Sequence, residues 1–518
     1  MLGDYVMEHL FINRKEQIKL AICKEIIFQA KFGVTFSQIQ TKYDLSTTTL
    51  NRYLAELDEE LNQVFQGEIQ LVFNDHLSAY FIESTEPQIH SYFIKILRYH
   101  YMKEQTFFIV FEALLHHIYD SVEELAEQIN LSPQTIYKQL RLFNQLLEPF
   151  GAELYIKNGR SNFRGSEIGL RFFFYYVHWF IYGSVIPLPF EHPSYSDLLD
   201  TTDLVASYSN QGTRELTLSQ KTKLKIMQAI TLYKLKRQHR TLEMSDDFYQ
   251  DIQFFSHPAV TLFDQFQGEY DKETLDKEQA FFCYAVSSLV FDSDNETRRA
   301  EIVKAYEDSH LSIARDVERM LAKLAEEFSF QFQPEGYITS YYLVLIFAIY
   351  MKYFAIDTSK YCEYSIQFMN LAYSEQQQTQ VNEKMLSFAK EQAKRLDINT
   401  HNWSESAFQH LAYILTICHD LNHPFNTIHV LLQITENVYM GEIIRKNIKD
   451  FFHSDLLQFT DDLSKADLII SDTYEQEQGM CPQVYLDNPY DASQWERVFA
   501  FLSDFLYKHS FYKRMNIH

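Results

Sequence analysis

At 518 residues the chain is long enough for several domains, and 46% hydrophobic against 22% charged residues is the balance of a protein with real cores, not a disordered one. A formal net charge of −24 excludes a generally sticky polyanion binder, and residues 1–165 are themselves acidic, with 15 Lys/Arg against 21 Asp/Glu. Five distant cysteines (Cys23, Cys283, Cys362, Cys418, Cys481) with no CxxC pair indicate neither zinc nor a disulfide framework, so no metal and no cofactor is expected. Few breakers, 13 Gly and 11 Pro, predict a mainly α, multidomain protein. The opening MLGDYVMEHLF lacks a basic region followed by an apolar core, so no secretion signal and a cytoplasmic location are expected.

The chain repeats itself near its start. Phe36–Leu61 (FSQIQTKYDLSTTTLNRYLAELDEEL) aligns without a gap with Val122–Leu147 (VEELAEQINLSPQTIYKQLRLFNQLL), 86 residues on, pairing Ile39 with Leu125, Leu45 with Leu131, Leu50 with Ile136 and Leu54 with Leu140. Each copy reads as a short helix, a tight turn ending in leucine, and a serine able to cap a second helix, which is the outline of a helix-turn-helix. In the first unit, Glu16–Lys31 is the expected supporting helix, with Gly33 as its stop; Phe36–Tyr43 and Ser46–Leu61 follow. Leu50, Leu54, Leu57 and Leu61 form the buried stripe, leaving Thr47, Thr48, Asn51 and Arg52 for a major groove. Glu56, Asp58, Glu59 and Glu60 restrict DNA contact to the N-terminal half of that helix. Glu68–Phe73 and Ala79–Glu83 around Asn74-Asp75-His76 predict a hairpin wing.

The second unit repeats the plan with Phe107–Ile118, Val122–Ile129 and Ser132–Leu147, then a hairpin of Glu153–Lys157 and Ser161–Arg164 around Asn158-Gly159. Its exposed face is expected to carry Gln134, Thr135, Tyr137, Lys138 and Arg141, and its wing Lys157, Arg160 and Arg164, cations suited to phosphates. This more basic unit is the expected main reader of DNA. Phe172–Phe190 has no Asp, Glu, Lys or Arg, but His178, Gly183, Ser184 and two prolines make it a buried helix and not a membrane span; Tyr341–Met351 is too short to span.

From Leu170 to Asn422 long amphipathic helices are predicted. Glu191–Leu218 reads as a linker, and Thr217–His239 as one helix ending in a cationic cluster of Lys234, Lys236, Arg237, His239 and Arg240. Arg298–Phe328, Ile338–Ala355, Ser374–Leu396 and Glu405–Asp420 read as a second helical block. No Ser/His/Asp, Walker or GxGxxG signature occurs, so no catalytic residue is assigned and no enzyme is expected. After residue 424 short apolar strands alternate with helices: Thr427–Thr435, Tyr439–Phe452, Asp455–Phe459, Ala466–Ser471, Gln483–Leu486 and Ser493–Lys508. This predicts a small parallel sheet.

Two winged helix-turn-helix units, two helical blocks and an α/β tail together resemble the Mga/AtxA family of Gram-positive global and virulence regulators, over essentially the whole chain. The resemblance implies five domains, at 1–86, 87–168, 169–292, 293–422 and 423–518: two winged units, two regulatory domains of the sugar phosphotransferase system, and an enzyme IIB-like tail. It implies a transcriptional regulator controlled by histidine phosphorylation, with double-stranded DNA (AT-rich or bendable), phosphotransferase carrier proteins and a second copy as partners, the last through the tail. His239, closing ITLYKLKRQH, resembles the first-block phosphoacceptor; His410, in FQHLAYIL, is the nearest match for the second, with His310 and His419 as competitors. A working IIB carrier has a cysteine straight after its first strand. Here Gln433-Ile434-Thr435-Glu436-Asn437 has none, so the tail fits dimerisation or sensing better than phosphate transfer. The alternatives are a phosphocarrier or docking protein without DNA binding, and an RNA-binding antiterminator; paired winged units favour duplex DNA over single-stranded RNA.

Overall fold

The computed structural model describes residues 6–29, 33–84, 90–157, 163–189, 202–209, 215–290, 293–354, 375–395, 403–422, 427–435, 440–454, 456–473, 481–486, 488 and 490–514. The chain forms two compact units. One comprises Met1–Ile313, Ile346–Leu371 and Ile398–Ala407; the other comprises Ala314–Leu345, Ala372–Asp397 and Phe408–His518. The fold is mainly α and multidomain, as the sequence predicts.

The first unit opens with helices Val6–Phe11 and Arg14–Phe28, the latter started by Asn13, whose side chain accepts from the Glu16 amide. This supporting helix begins two residues before the expected Glu16 and ends at Phe28, short of Lys31. The motif helices Phe36–Tyr43 and Thr47–Phe65 follow, then strands β2 (Ile69–Asn74) and β3 (Ala79–Ser84) in register from Ile69↔Ser84 to Asn74↔Ala79. A two-residue strand, β1 (Val34–Thr35), joins β3 and makes the wing a three-stranded sheet. Two residues carry no periodicity, so the sequence did not show it.

Helices His90–Lys103 and Thr106–His116 lead into the second motif, Val122–Gln128 and Pro133–Leu147. Its wing is the antiparallel pair β4 (Ala152–Leu154) and β5 (Phe163–Gly165); Asn158-Gly159 and Arg160 lie outside the described residues. The core here is aromatic: Phe143 stacks on Phe107 at 4.0 Å and on Phe111 at 5.7 Å. Phe11 of the first helix stands edge-on to Phe107 at 4.8 Å, so the N-terminal turn packs into the second motif.

Helix Glu167–Tyr182 starts one residue beyond β5, capped by Ser166, and is buried along almost its whole length. Its base fits the wing tightly. A Cβ on Gly165 (φ +111°) would come within 2.3 Å of the Gly151 carbonyl oxygen, and one on Gly169 within 1.9 Å of that of Phe150. Among the described residues no helix is long and apolar enough to cross a membrane.

The helix expected over Thr217–His239 is α-helical only for Leu218–Leu232. Tyr233–Arg237 then widen into a π turn, and His239 sits at φ +49°. Within this stretch Lys234 leaves the expected surface cluster. Only 2% exposed, it lies over the Phe174 ring with its ammonium 3.5 Å from the Glu167 carboxylate. Next to it Arg171 and Glu278, both fully buried, form a two-point ion pair (Nη1–Oε2 2.6 Å, Nη2–Oε1 3.1 Å). Glu278 also accepts from the Leu242 amide at 2.8 Å. An amphipathic reading puts lysine outside; here four charged groups compensate one another inside.

Burial pushes the Lys234 ammonium down to about 8, with Arg171 and Arg240 adding to that push and Glu167 opposing it. An unfolded lysine titrates near 10.4, so between about pH 8 and 10 the unfolded chain holds more protons, and this residue makes stability rise with pH. Lys234→Met is expected to flatten that rise, by up to about 1.4 kcal/mol per pH unit. Urea midpoints of both proteins at about pH 7.5 and about pH 9.5 check it; parallel responses would refute the assignment.

Where one helix was expected over Arg298–Phe328 there are two, Glu296–Glu307 and Ser312–Glu327, the first capped by Asn295. The expected linker Glu191–Leu218 contains a helix, Thr202–Ser209; most of its remainder lies outside the described residues.

In the second unit, helices Glu375–Ala393 and Glu405–Asn422 match the predicted spans within three residues at each end. Asn422 ties the bundle, accepting from the Gln333 amide (3.1 Å) and donating to the Ser340 hydroxyl (3.1 Å). The tail is a four-stranded parallel sheet: β6 (Ile428–Gln433), β7 (Leu457–Thr460), β8 (Leu468–Ser471) and β9 (Gln483–Tyr485), ordered β7-β6-β8-β9. Helices Met440–Phe451 and Ala492–Arg514 supply Ile444, Ile448, Val498 and Leu502 to its core.

Candidate nucleic-acid interface

The two motifs share local chemistry as well as shape. Ser46 accepts from the Thr49 amide at 3.2 Å, and its hydroxyl lies 2.8 Å from that of Thr49. Ser132 and Thr135 repeat this at 3.1 and 2.8 Å. The turn residues match too: Asp44 at φ +50° and Asn130 at +53° are left-handed, and each is followed by a leucine whose amide reaches back to the first helix (Leu45 to Gln40 at 3.1 Å, Leu131 to Ala126 at 3.0 Å). Asp and Asn tolerate that conformation better than other non-glycine residues, which is why a sequence so poor in glycine makes this turn twice.

Thr47, Thr48, Asn51 and Arg52 are all exposed at the start of the first recognition helix, Thr47 accepting from the Gln40 side chain at 3.1 Å. In the acidic far half Glu59 stays exposed, but Glu56 pairs with Lys15 at 2.7 Å, and Glu60 with the buried Lys19 and the Tyr101 hydroxyl (2.6 Å). The Glu56 and Glu60 carboxylates are engaged by the supporting helices and are not part of the exposed N-terminal surface.

In the second recognition helix Gln134, Tyr137, Lys138 and Arg141 are exposed and spaced i, i+3, i+4, i+7, a single stripe. Tyr137 is 55% exposed, high for so large a side chain with no core to join. Thr135 is different: half-buried and engaged with Ser132, it belongs to the cap. At the wing, Lys157 is exposed, and Arg164 lies over the Tyr155 ring at 3.8 Å, pairing across the hairpin with Glu153. Eighty-six residues earlier the stripe reads Thr48, Asn51, Arg52 and Ala55, so the second copy carries more charge and more reach.

Residues 90–177 match the family described as the Mga helix-turn-helix domain. This local match supports the Mga/AtxA regulator family. The match runs from helix His90–Lys103 through the second motif and its wing into helix Glu167–Tyr182, so it covers the stripe described above. An Mga domain supports DNA binding and transcriptional regulation; the family is one of DNA-binding regulators and not of enzymes. The chain has no match among curated proteins.

The histidines singled out by resemblance fall in unlike places. His239 is exposed at the end of the π turn, beside exposed Arg237 and partly exposed Lys236 and Arg240. His410 is exposed on helix Glu405–Asn422, and His310 on the turn after Glu296–Glu307. His419 is fully buried between the rings of Phe328 and Phe330, out of reach of any donor protein. Sequence reasoning missed His257. It lines a cavity of about 470 Å³ with Arg298, Asp294 and the N-terminus of helix Glu296–Glu307. Its Nδ1 accepts from the Ala259 amide at 3.2 Å, and burial, with Arg298 nearby, holds its pKa below the usual histidine value. That leaves a neutral imidazole beside a cation. Among the described residues no group of three or more His, Cys, Asp or Glu could hold a metal ion.

In the tail, Thr435, two residues after β6, is held from within the domain. Asp472, 6% exposed, accepts from both the Thr435 amide (3.0 and 2.9 Å) and the Thr435 hydroxyl (3.0 Å). Glu436 and Asn437 lie outside the described residues.

Proposed function

We propose that the chain is a cytoplasmic, Mga-like global or virulence regulator that binds duplex DNA chiefly through its second winged motif. It enters the major groove with Gln134, Tyr137, Lys138 and Arg141, the two cations of this stripe also meeting phosphates, and holds further phosphates with Lys157, Arg160 and Arg164. The first motif adds Thr47, Thr48, Asn51 and Arg52, and Thr135 serves the cap as well as the surface. The exposed stripe on the second recognition helix, inside the Mga domain, carries this reading. The chain's acidity leaves few cations to hold the duplex, so AT-rich, bendable sites whose shape is read indirectly suit it best. Titrating the full chain against AT-rich duplex, random duplex and single-stranded RNA at two salt concentrations tests it. Salt-sensitive binding to duplex is expected; preference for the RNA would favour an antiterminator, and no binding to any of them a docking protein.

In this reading the five-domain division at 1–86, 87–168, 169–292, 293–422 and 423–518 separates two readers, two regulatory blocks and a tail that pairs two copies. Carrier proteins of the sugar phosphotransferase system set its activity by phosphorylating histidine, with His239 and His410 as acceptors by resemblance. The cavity supports His257 as a further one: attack from Nδ1 breaks its bond from the Ala259 amide while Nε2 carries the proton, and Arg298 and the helix N-terminus favour the added dianion against Asp294 and Glu301 on the same lining. The phosphoryl group passes from the donor's histidine nitrogen to the acceptor's, so no further reactant is needed. Incubation with a phosphorylated carrier is expected to label the chain, and His257→Ala to remove a substantial share of that label. Undiminished labelling in His257→Ala, with loss in His239→Ala or His410→Ala, would move the acceptor.

A further inference from the structure

Each recognition helix carries, 12 residues beyond its cap serine, a side chain that reaches the adjoining wing. In the first unit it is Asp58, whose Oδ1 accepts from the Leu71 amide of β2 at 3.3 Å. In the second it is Asn144, 86 residues later, whose Oδ1 accepts from the Leu154 amide of β4 at 2.6 Å while its Nδ2 donates to the Leu154 carbonyl at 3.4 Å. A bond made at the same repeat position in both copies, by two different residue types, marks a requirement of the motif and not an accident of one surface.

The geometry in the second unit is the more demanding. Its wing has two strands where the first has three, and Leu154 already pairs with Phe163 of β5. β4, like β2 in the first wing, is an edge strand, and by taking both backbone groups of Leu154 Asn144 satisfies two groups that the sheet leaves open. Lys157 lies three residues beyond Leu154, and Arg164 neighbours its strand partner.

We propose that Asn144 is a positioning residue for DNA binding. It fixes the angle between the second recognition helix and its wing, so that Lys157 and Arg164 meet phosphates of the same duplex the helix enters. Asp58 does the same for the first wing through a single bond. This inference rests on the reading of Lys157 and Arg164 as phosphate-binding groups.

The test compares Asn144→Ala, Asn144→Asp, the pair Lys157→Ala/Arg164→Ala and the triple variant, in the full chain, by salt-dependent titration of AT-rich duplex. The wing pair is expected to lower the slope of log affinity against log salt by roughly 0.9 for every phosphate it no longer neutralises. Asn144→Ala is expected to lower it similarly, and the triple variant to lose little beyond either, because all three changes remove one function. Asn144→Asp keeps the acceptor for the Leu154 amide, as Asp58 does for Leu71, and is expected to restore most of the slope. Should Asn144→Ala unfold, Asn144→Asp decides alone: a slope as low as the wing pair's overturns the inference. Additive losses in the triple variant, or a wild-type slope in folded Asn144→Ala, overturn it as well. A wing pair with unchanged slope overturns the phosphate reading itself, and the inference with it.

Discussion

Replacing Arg171 by methionine, or Glu278 by leucine, is expected to destabilise the first unit by about 3–5 kcal/mol, the usual consequence of stripping one partner from a buried ion pair. Both side chains are fully buried, and their two-point pairing leaves neither with water as a substitute. Among the described residues, without Arg171 the Glu278 carboxylate keeps the Leu242 amide, and without Glu278 the guanidinium keeps the longer Glu167 interaction at 3.4 Å. The double variant Arg171→Met/Glu278→Leu removes both charges together, so it is expected to be far closer to wild type than either single change. Urea unfolding of the three proteins measures this. Single variants within about 1 kcal/mol of wild type would show that water reaches the pair.

Changing Lys138 and Arg141 together to alanine is expected to weaken duplex binding by on the order of tenfold to a hundredfold and to flatten its salt dependence by roughly 0.9 for each phosphate left without a cation. Both side chains are exposed on one stripe of the second recognition helix, where truncation disturbs no packing, so the folded state should be unchanged. The corresponding positions of the first copy are Arg52 and Ala55, which cannot compensate fully. If the losses were confined to one base pair of a preferred site, the two residues would read bases instead of holding phosphates. Unaltered affinity and slope would shift the DNA surface to the first motif.

Much of this architecture is legible in the chain because local chemistry and tertiary fate agree. Ser46 and Ser132 look like caps and are caps; the leucine stripe of the first motif is buried as its spacing requires; the short apolar runs after residue 427 become a parallel sheet. What the sequence hides depends on distant partners. Lys234 reads as a surface cation until Glu167 and Phe174 are brought to it. Arg171 and Glu278 lie 107 residues apart with nothing in either segment to announce the other. His257 gains its interest only from a cavity whose Arg298 lies 41 positions further along the chain. Asp58 resembles one more acid in a run of acids, and its use shows only when the wing is in place.

The junction after the second wing has a mechanical meaning. β5 ends at Gly165 and the next helix begins at Glu167, with Ser166 alone between them, and two glycines let the backbones close without a gap. On the other side Arg240 reaches from beyond the π turn to the carbonyl of Phe163. The wing is thus the short arm of a lever whose long arm, helix Glu167–Tyr182, runs about 24 Å into the helical block. No slack exists at the pivot to absorb a tilt. Splicing a flexible glycine-serine spacer there would leave both ends folded while letting each turn without the other.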